Sequence, residues 1–260
     1  HMNPIWMVLG GMFWRLMNKK IFFWYTSGGV TTKLKLAEKF SDVIFTASKE
    51  SFRLPSKKVI VTGHGIDTEL FRLDPLRLNL KKDQRFNLWI LSVGRISPVK
   101  NYETLVGAAK ILKDRGIDFQ VTMVGEAPLE QDKKYEESLK FKVKSLKLED
   151  NFNFVGKVNH KDLPQYYQSH DVFVHLSKTG SLDKTILEAM ACGMKVLSSS
   201  DSARSFLSPE LLFDEFNSLE LATKIVAIKN RPTDLVLREY VIKNHNLDNL
   251  INKISEIIKS

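Results

Sequence analysis

Hydrophobic positions in this chain follow two spacings in turn. Short apolar runs with β-branched and aromatic residues alternate with longer segments whose apolar residues recur every three or four positions, as buried strands and amphipathic helices require. Strands are predicted at Lys20–Thr26 (KIFFWYT), Asp42–Ala47, Lys58–Thr62, Leu88–Val93, Phe119–Val124, Phe152–Val155, Asp171–Leu176 and Lys195–Ser199. A helix at residues 4–17 would precede them. Helical spacing then predicts Thr32–Phe40, with Leu34, Leu36 and Ala37 inward, and a helix from Tyr102 to Gly116 that buries Leu105, Val106, Ala109 and Leu112. Lys133–Leu148 is a charged helix with Leu139, Val143 and Leu146 inward. Leu163–Ser169 follows, and then Asp183–Cys192, stopped by Gly193. Leu219–Ile228, Leu235–Ile242 and a last face of Leu247, Leu250, Ile251, Ile254, Ile257 and Ile258 complete the series.

Such alternation is the pattern of an α/β fold with parallel sheets covered by helices. It breaks at Gly63–Asp67 (GHGID), ahead of Phe71 and Pro75, where glycine and proline mark a turn or interdomain hinge. His64 there is either functional or a hydrogen-bonded loop histidine. Three segments are expected: 1–75, a partial Rossmann-like domain with the hinge; 76–235, a doubly wound Rossmann-like domain; and 236–260, C-terminal helices. The first segment holds about half a domain, and its partner strands would precede residue 1.

Composition narrows the class. The chain has 260 residues, 43% hydrophobic and 27% charged, enough to bury one or two sizeable cores. Its net charge is +9, and the first 80 residues hold 12 Lys/Arg against 6 Asp/Glu, so anionic partners are expected: a nucleotide diphosphate or an anionic membrane surface. Nucleic acid is not expected, because no basic run is interleaved with aromatics. The single cysteine, Cys192, excludes an intrachain disulfide, and its neighbours Met190 and Ala191 make it a packed thiol. A cytoplasmic location, or one peripheral to a membrane, fits that usage. His1-Met2 reads as a tag remnant or an internal boundary. Residues 4–17 (PIWMVLGGMFWRLM) are too short to span a bilayer and contain Arg15, and no signal-peptide pattern surrounds them. They form either a helix packed on a sheet or an amphipathic surface that touches lipid.

The candidate chemistry lies at strand ends, where a doubly wound sheet takes its ligands. After Leu88–Val93 comes Gly94, and then Arg95 and Lys100, a guanidinium fork and a point charge that can reach one diphosphate. After Phe119–Val124 come Gly125 and Glu126, with glycine allowing close backbone approach. After Phe152–Val155 come Gly156, Lys157 and Val158. After Asp171–Leu176 comes a small polar turn with Thr179, Gly180 and Ser181, and then Asp183, Lys184 and Thr185 at a helix start, where free N–H groups and the helix dipole favour an anion. Glu188, a turn further, would face the same crevice and accept hydroxyl hydrogen bonds. An ordinary exposed βαβ turn and a solvated loop remain open for these positions.

The stretches SVGRISPVKNYETLVGAAKIL, VTMVGE, FVGKV and TGSLDKTILEAMACGMKVLSSS resemble the nucleotide-sugar domain of glycosyltransferase family 4, retaining enzymes of the GT-B fold. The resemblance covers about Gly63 to Ser260, and residues 3–62 resemble the latter part of that family's first domain. It implies a hexosyltransferase that moves a sugar from a nucleotide diphosphate to a lipid-linked or polysaccharide acceptor, needs no cofactor and has no obligatory metal. No Asp-x-Asp occurs in the chain. It implies that Arg95 and Lys100 neutralise the donor diphosphate and that Glu188 binds the ribose. The amides of Lys184 and Thr185 would hold a phosphate, Gly156–Val158 would lie by the base, and the last helix would cross back to the first domain. The family's usual first glutamate is Gly180 here, which shifts sugar contact to Thr179, Ser181 or Asp183, and the family's frequent histidine is Ser27. Two other readings stay open: a nucleotide-sugar epimerase of the same fold, and an inactive nucleotide-binding or membrane-docking fragment.

Overall fold

The computed structural model describes residues 3–74, 85–177, 181–231 and 235–259. They divide into two units: one runs to Asp67 and takes in Ser181, Leu182 and the chain from Lys243 onward, and the other holds Thr68 to Ser177 and Asp183 to Ile242. The expected boundaries at 75 and 235 differ from this division. The second boundary falls inside a helix, because that helix's first residues pack on the second unit.

The first unit has a three-stranded parallel sheet, β1 (Phe22–Trp24), β2 (Val43–Thr46) and β3 (Val59–Val61), in the order β1-β2-β3. Helix α1 (Ile5–Leu16) precedes it, and α2 (Thr32–Phe40) lies between β1 and β2. Thr31 caps α2, accepting from the Leu34 N–H at 3.1 Å and so satisfying one of the helix's orphan donors. Phe23, Leu34, Ala37, Ile44 and Phe52 form the core with Met7. Leu36, expected inward, is 36% exposed. Two residues beyond Leu34 is about 200° around an α-helix, which carries it off the inner stripe. α1 packs on α2, with Gly11 against the Phe40 ring, where an added Cβ would come within 2.6 Å, and its Met7 joins the core that Phe23 of β1 lines. Only Met7 and Gly11 of α1 are buried, and Trp6, Leu9, Phe13 and Leu16 lie open.

The second unit has a five-stranded parallel sheet: β4 (Leu88–Val93), β5 (Phe119–Val124), β6 (Phe152–Gly156), β7 (Val172–His175) and β8 (Lys195–Ser198). Its order is β6-β5-β4-β7-β8. Buried strands of this kind read as continuous apolar runs, and Leu88, Ile90, Leu91, Val121, Val172, Phe173 and Val196 are all fully buried. At roughly 1.5–3 kcal/mol per large apolar side chain, such burial is the main favourable contribution. Helices α3 (Tyr102–Asp114), α4 (Glu130–Ser145), α5 (Pro164–Ser169), α6 (Lys184–Ala191) and α7 (Ser218–Lys229) connect and cover the strands. Gly193, with φ +75°, ends α6 in the left-handed conformation that suits glycine. α4 starts three residues before its expected first position, and Leu146, expected inward, is half-buried at its end.

Helix α8 (Leu235–His245) buries Leu237 and Val241, stacks Tyr240 on Phe206 at 5.2 Å and hydrogen-bonds the Ala191 carbonyl through Arg238. From Lys243 the chain belongs to the first unit: Asn246 bridges Ile66, and α9 (Leu247–Lys259) sends Lys253 Nζ to the Val61 carbonyl at 3.0 Å. The apolar face expected on α9 is only partly covered, with Leu250 buried and Ile251 and Ile258 about half exposed. Among the described residues, no helix is long and apolar enough to cross a membrane.

Candidate functional site

In the five-stranded sheet, successive strands run outward from β4 to β5 and β6 on one side, and to β7 and β8 on the other. The loops after β4 and β7 therefore diverge, and a crevice opens at their carboxyl ends. Both loops carry residues singled out in the sequence.

After β4, a single 3₁₀ turn (Pro98–Lys100) and Asn101 in the left-handed region (φ 46°) swing the chain into α3. That turn takes Lys100 inward, leaving it 9% exposed, and its ammonium pairs with the Asp183 carboxylate. Arg95 behaves differently: it is exposed, and its guanidinium has no ion pair or hydrogen bond among the described residues. The structure therefore does not bring the two cations to one shared partner. One is fixed and the other is free to swing.

After β7, Asp183 occupies the N-cap of α6 and yet makes no side-chain cap hydrogen bond. Its carboxylate turns to Lys100 and to His175 Nε2, 2.9 Å away, so among the described residues the first N–H groups of α6, from Lys184 and Thr185 onward, have no side-chain cap. Burial alone would raise the Asp183 pKa, but the His175 hydrogen bond and the charges of His175 and Lys100 outweigh it and hold the carboxyl well below the usual carboxylate range. Burial holds His175 below the usual imidazole pKa, against the pull of Asp183, and Lys100 lowers it further. An ionised Asp183 only accepts, so the His175 proton sits on Nε2, and Nδ1 takes the Ser198 hydroxyl at 2.9 Å. Two hydroxyls nearby in sequence, Ser97 Oγ and Thr185 Oγ1, are buried without a hydrogen-bond partner among the described residues. Buried hydroxyls of this kind are ordinarily paired.

The remaining strand-end residues are arranged in another way. Gly94, Gly125 and Gly156 are laced together at the ends of β4, β5 and β6: Gly94 N–H donates to Val124, and Gly125 N–H to Gly156, each at 2.9 Å. A Cβ on Gly125 would fall 1.9 Å from the Gly94 carbonyl oxygen, so the close approach that glycine permits there is between strands. Glu126 pairs with Lys157 at 3.0 Å on the open surface, and Val158 is half-buried. Ser181 lies in the first unit, where its Oγ accepts the Gly28 N–H at 3.1 Å. Lys184 is exposed, and Thr179 and Gly180 lie outside the described residues.

Glu188 departs most from expectation. It does not present an open carboxyl group to the crevice; its side chain is 4% exposed. Tyr167 Oη donates to Oε2 at 2.9 Å, and His160 Nε2 lies 3.0 Å from Oε1. The reason is helical geometry: residues 186–191 of α6 are all buried, so Glu188 points into the sheet's cover, where every polar atom needs a partner. Burial, and then Glu188, push the Tyr167 pKa well up, which keeps its phenol a donor. His160, Tyr167 and His175 were not singled out in the sequence. His175 alone left a trace there, as a histidine inside an otherwise apolar strand.

His64, in the first unit, is buried, with its Nε2 2.8 Å from the Leu182 carbonyl oxygen and its N–H donating to His245 Nδ1. That is the hydrogen-bonded alternative. Burial raises the Cys192 pKa to about 12 against the pull of Arg238, as befits a packed thiol. Among the described residues, no cluster of three or more His, Cys, Asp or Glu could hold a metal ion.

A doubly wound sheet with a fixed cation and a helix start at its switch point defines a ligand-binding α/β domain of the Rossmann-like kind. The chain belongs to the glycosyl transferases group 1 family, whose model matches residues 77–244, and its fold is of the GT-B type. Over 106 residues it is 36% identical to mannosylfructose-phosphate synthase of Agrobacterium fabrum, covering 40% of this chain and 23% of that protein. Over 164 residues it is 32% identical to the amylovoran biosynthesis glycosyltransferase AmsK of Erwinia amylovora, covering 61% of this chain and 37% of that protein. The chain thus spans roughly a quarter to a third of these relatives' length. Anabaena Alr3699/HepE in complex with UDP superposes on 99% of this chain and 77% of its own, with a TM-score of 0.86 at 18% identity. Its UDP-glucose complex gives 0.82 over the same shares.

Proposed function

We propose that the protein is a retaining glycosyltransferase of family 4, moving a hexose from a nucleotide-diphosphate sugar to a lipid-linked or polysaccharide acceptor without a metal. The observation that carries this reading is the buried ammonium of Lys100 beside the start of α6, where the N-cap Asp183 makes no cap hydrogen bond. A donor diphosphate laid across that start would take hydrogen bonds from the Lys184 and Thr185 amides, the Thr185 hydroxyl and Lys100, with Arg95 swinging in to complete the charge. These groups face the bond that breaks, so they stabilise negative charge as the nucleotide leaves, which lowers the barrier by electrostatics alone. In the retaining route the departing phosphate takes the acceptor's proton on the same face. UDP and UDP-glucose in the HepE complexes support a nucleotide-sugar donor, and the relative AmsK supports a polysaccharide acceptor. The open apolar stripe of α1, with Lys19 and Lys20 after it, supports contact with an anionic lipid surface. Ser27 leaves the catalytic base unassigned.

Calorimetric titration with UDP tests the core of this reading. The Arg95→Ala, Lys100→Ala double variant is expected to lose at least about a hundredfold in affinity, since charge-assisted contacts contribute roughly 1.5–3 kcal/mol each. Unchanged affinity in that variant would refute it. Interconversion of the free sugar nucleotide without an acceptor would indicate an epimerase instead.

A further inference from the structure

Three side chains from three separate segments meet inside the second unit: Lys100 after β4, His175 at the end of β7 and Asp183 at the start of α6. Behind them the chain continues, with the Ser198 hydroxyl on His175 Nδ1 and the Ser200 N–H on Ser198 Oγ at 3.1 Å. The side chain of His175 is 2% exposed, and Ser198 is fully buried. Ser, His and Asp in a row resemble a hydrolytic triad, but this Ser198 already donates to His175 and accepts from Ser200, and no reacting atom can reach it. The row has to be explained by what stands at its open end, which is Lys100.

We propose that Asp183, fixed by His175, is a positioning residue that holds the Lys100 ammonium at the carboxyl end of β4. A lysine has four rotatable carbons and about 2 kcal/mol of rotamer entropy, so an untethered ammonium is a poorly aimed one. An aspartate at a helix N-cap ordinarily accepts from its own helix. This one makes no such bond and accepts from His175 and Lys100 instead. The arrangement rests on the reading of Lys100 as a diphosphate contact, and it carries an internal conflict that makes it testable. The carboxylate's own charge repels an incoming diphosphate, so its benefit lies entirely in where it places the lysine.

Asp183→Asn should therefore weaken UDP binding in one background and not in the other. Measured by calorimetry on the full chain, with folding checked by thermal unfolding, it is expected to weaken UDP about tenfold when Lys100 is present; in Lys100→Ala it leaves affinity unchanged or tightens it, because non-additivity marks groups that act through each other. An equal loss in both backgrounds would overturn the proposal and leave Asp183 as a direct ligand contact or a merely structural residue. If Lys100→Ala alone leaves UDP affinity untouched, the diphosphate reading fails first, and the positioning role with it. A second pair of variants guards against misfolding at position 183. His175→Gln keeps an N–H donor for Asp183 and should retain affinity within about twofold, whereas His175→Leu should reproduce the Asp183→Asn loss. Equal losses from Gln and Leu would count against the proposal.

Discussion

Two carboxyl groups in the second unit each have a histidine partner, and they are built in opposite senses. Asp183 has a side chain 28% exposed, and its partner His175 is 2% exposed. Glu188 is 4% exposed, and its partner His160 is 62% exposed. In the first pair the histidine is a fixed backing and the acid looks outward to Lys100. In the second, the acid is the fixed element and the histidine is the part that can leave. A ligand arriving at Lys100 finds its surroundings already set, whereas one that needs Glu188 has to share it with, or take it from, His160. The same two residue types thus make a support in one place and a movable cover in the other, and depth decides which.

The largest effect should come from breaking the buried side of the second pair. Glu188→Ala removes the acceptor of the Tyr167 phenol and opens a cavity beneath α6. A stranded buried donor together with a cavity is expected to cost about 3 kcal/mol in denaturant unfolding. Glu188→Gln keeps an oxygen acceptor and should cost much less. Equal losses from the two substitutions would mean that the Tyr167 bond contributes nothing and that volume alone matters.

An acid titration sharpens the first pair, because its two members lose their contributions in different pH ranges. His175 is held below its usual pKa of 6.5, so the unfolded chain binds its proton first. Stability is then complete above pH 6.5 and falls as the pH drops below it. Asp183 is held below its usual 3.8, so its contribution is present above that pH and is lost only in stronger acid, as the pH falls through its folded value. His245, lowered to about 4 by burial and by His64, adds to the histidine limb between pH 6.5 and 4, on the order of 3 kcal/mol. Unfolding free energy should thus decline from pH 6.5 to 4, and His245→Gln should flatten that limb in part. A curve flat over this range would show that neither histidine is kept neutral by the fold.

How much of this was legible in the sequence follows from the same contrast. Periodicity placed every described strand, because a buried parallel strand leaves a short run dominated by apolar residues, such as Leu88–Leu91 in β4. It also placed Lys100, Asp183 and Glu188 near the ends of β4 and β7. Partners were the part it left out. Asp183 before a helix reads as a cap, and only the packing of β7 against β4 brings His175 and Lys100 within its reach. Glu188 reads as a residue that faces a crevice, since a helix's sequence does not say which of two neighbours covers its polar stripe. His160 and Tyr167, 28 and 21 residues earlier, arrive there from a 3₁₀ turn (His160–Asp162) and from α5. Leu36 and the open face of α9 make the same point for apolar residues, where spacing marks a stripe and the tertiary neighbours determine how much of it is covered.

The smallest expected effect is the most direct test of the movable cover. His160 lies mostly in solvent and touches Phe71 edge-on at 5.0 Å, so His160→Ala should change global stability little. If ribose hydroxyls bond to Glu188, removing the imidazole frees Oε1 without cost to the ligand, and UDP should bind about threefold tighter, the worth of roughly one neutral hydrogen bond exchanged. His160→Phe separates the two roles of the ring, keeping the contact with Phe71 while ending the bond to Glu188, and should give the same gain. Weaker UDP binding in both variants would instead make the imidazole a ligand contact in its own right. A cover and a contact predict opposite signs here, so even a small shift decides between them.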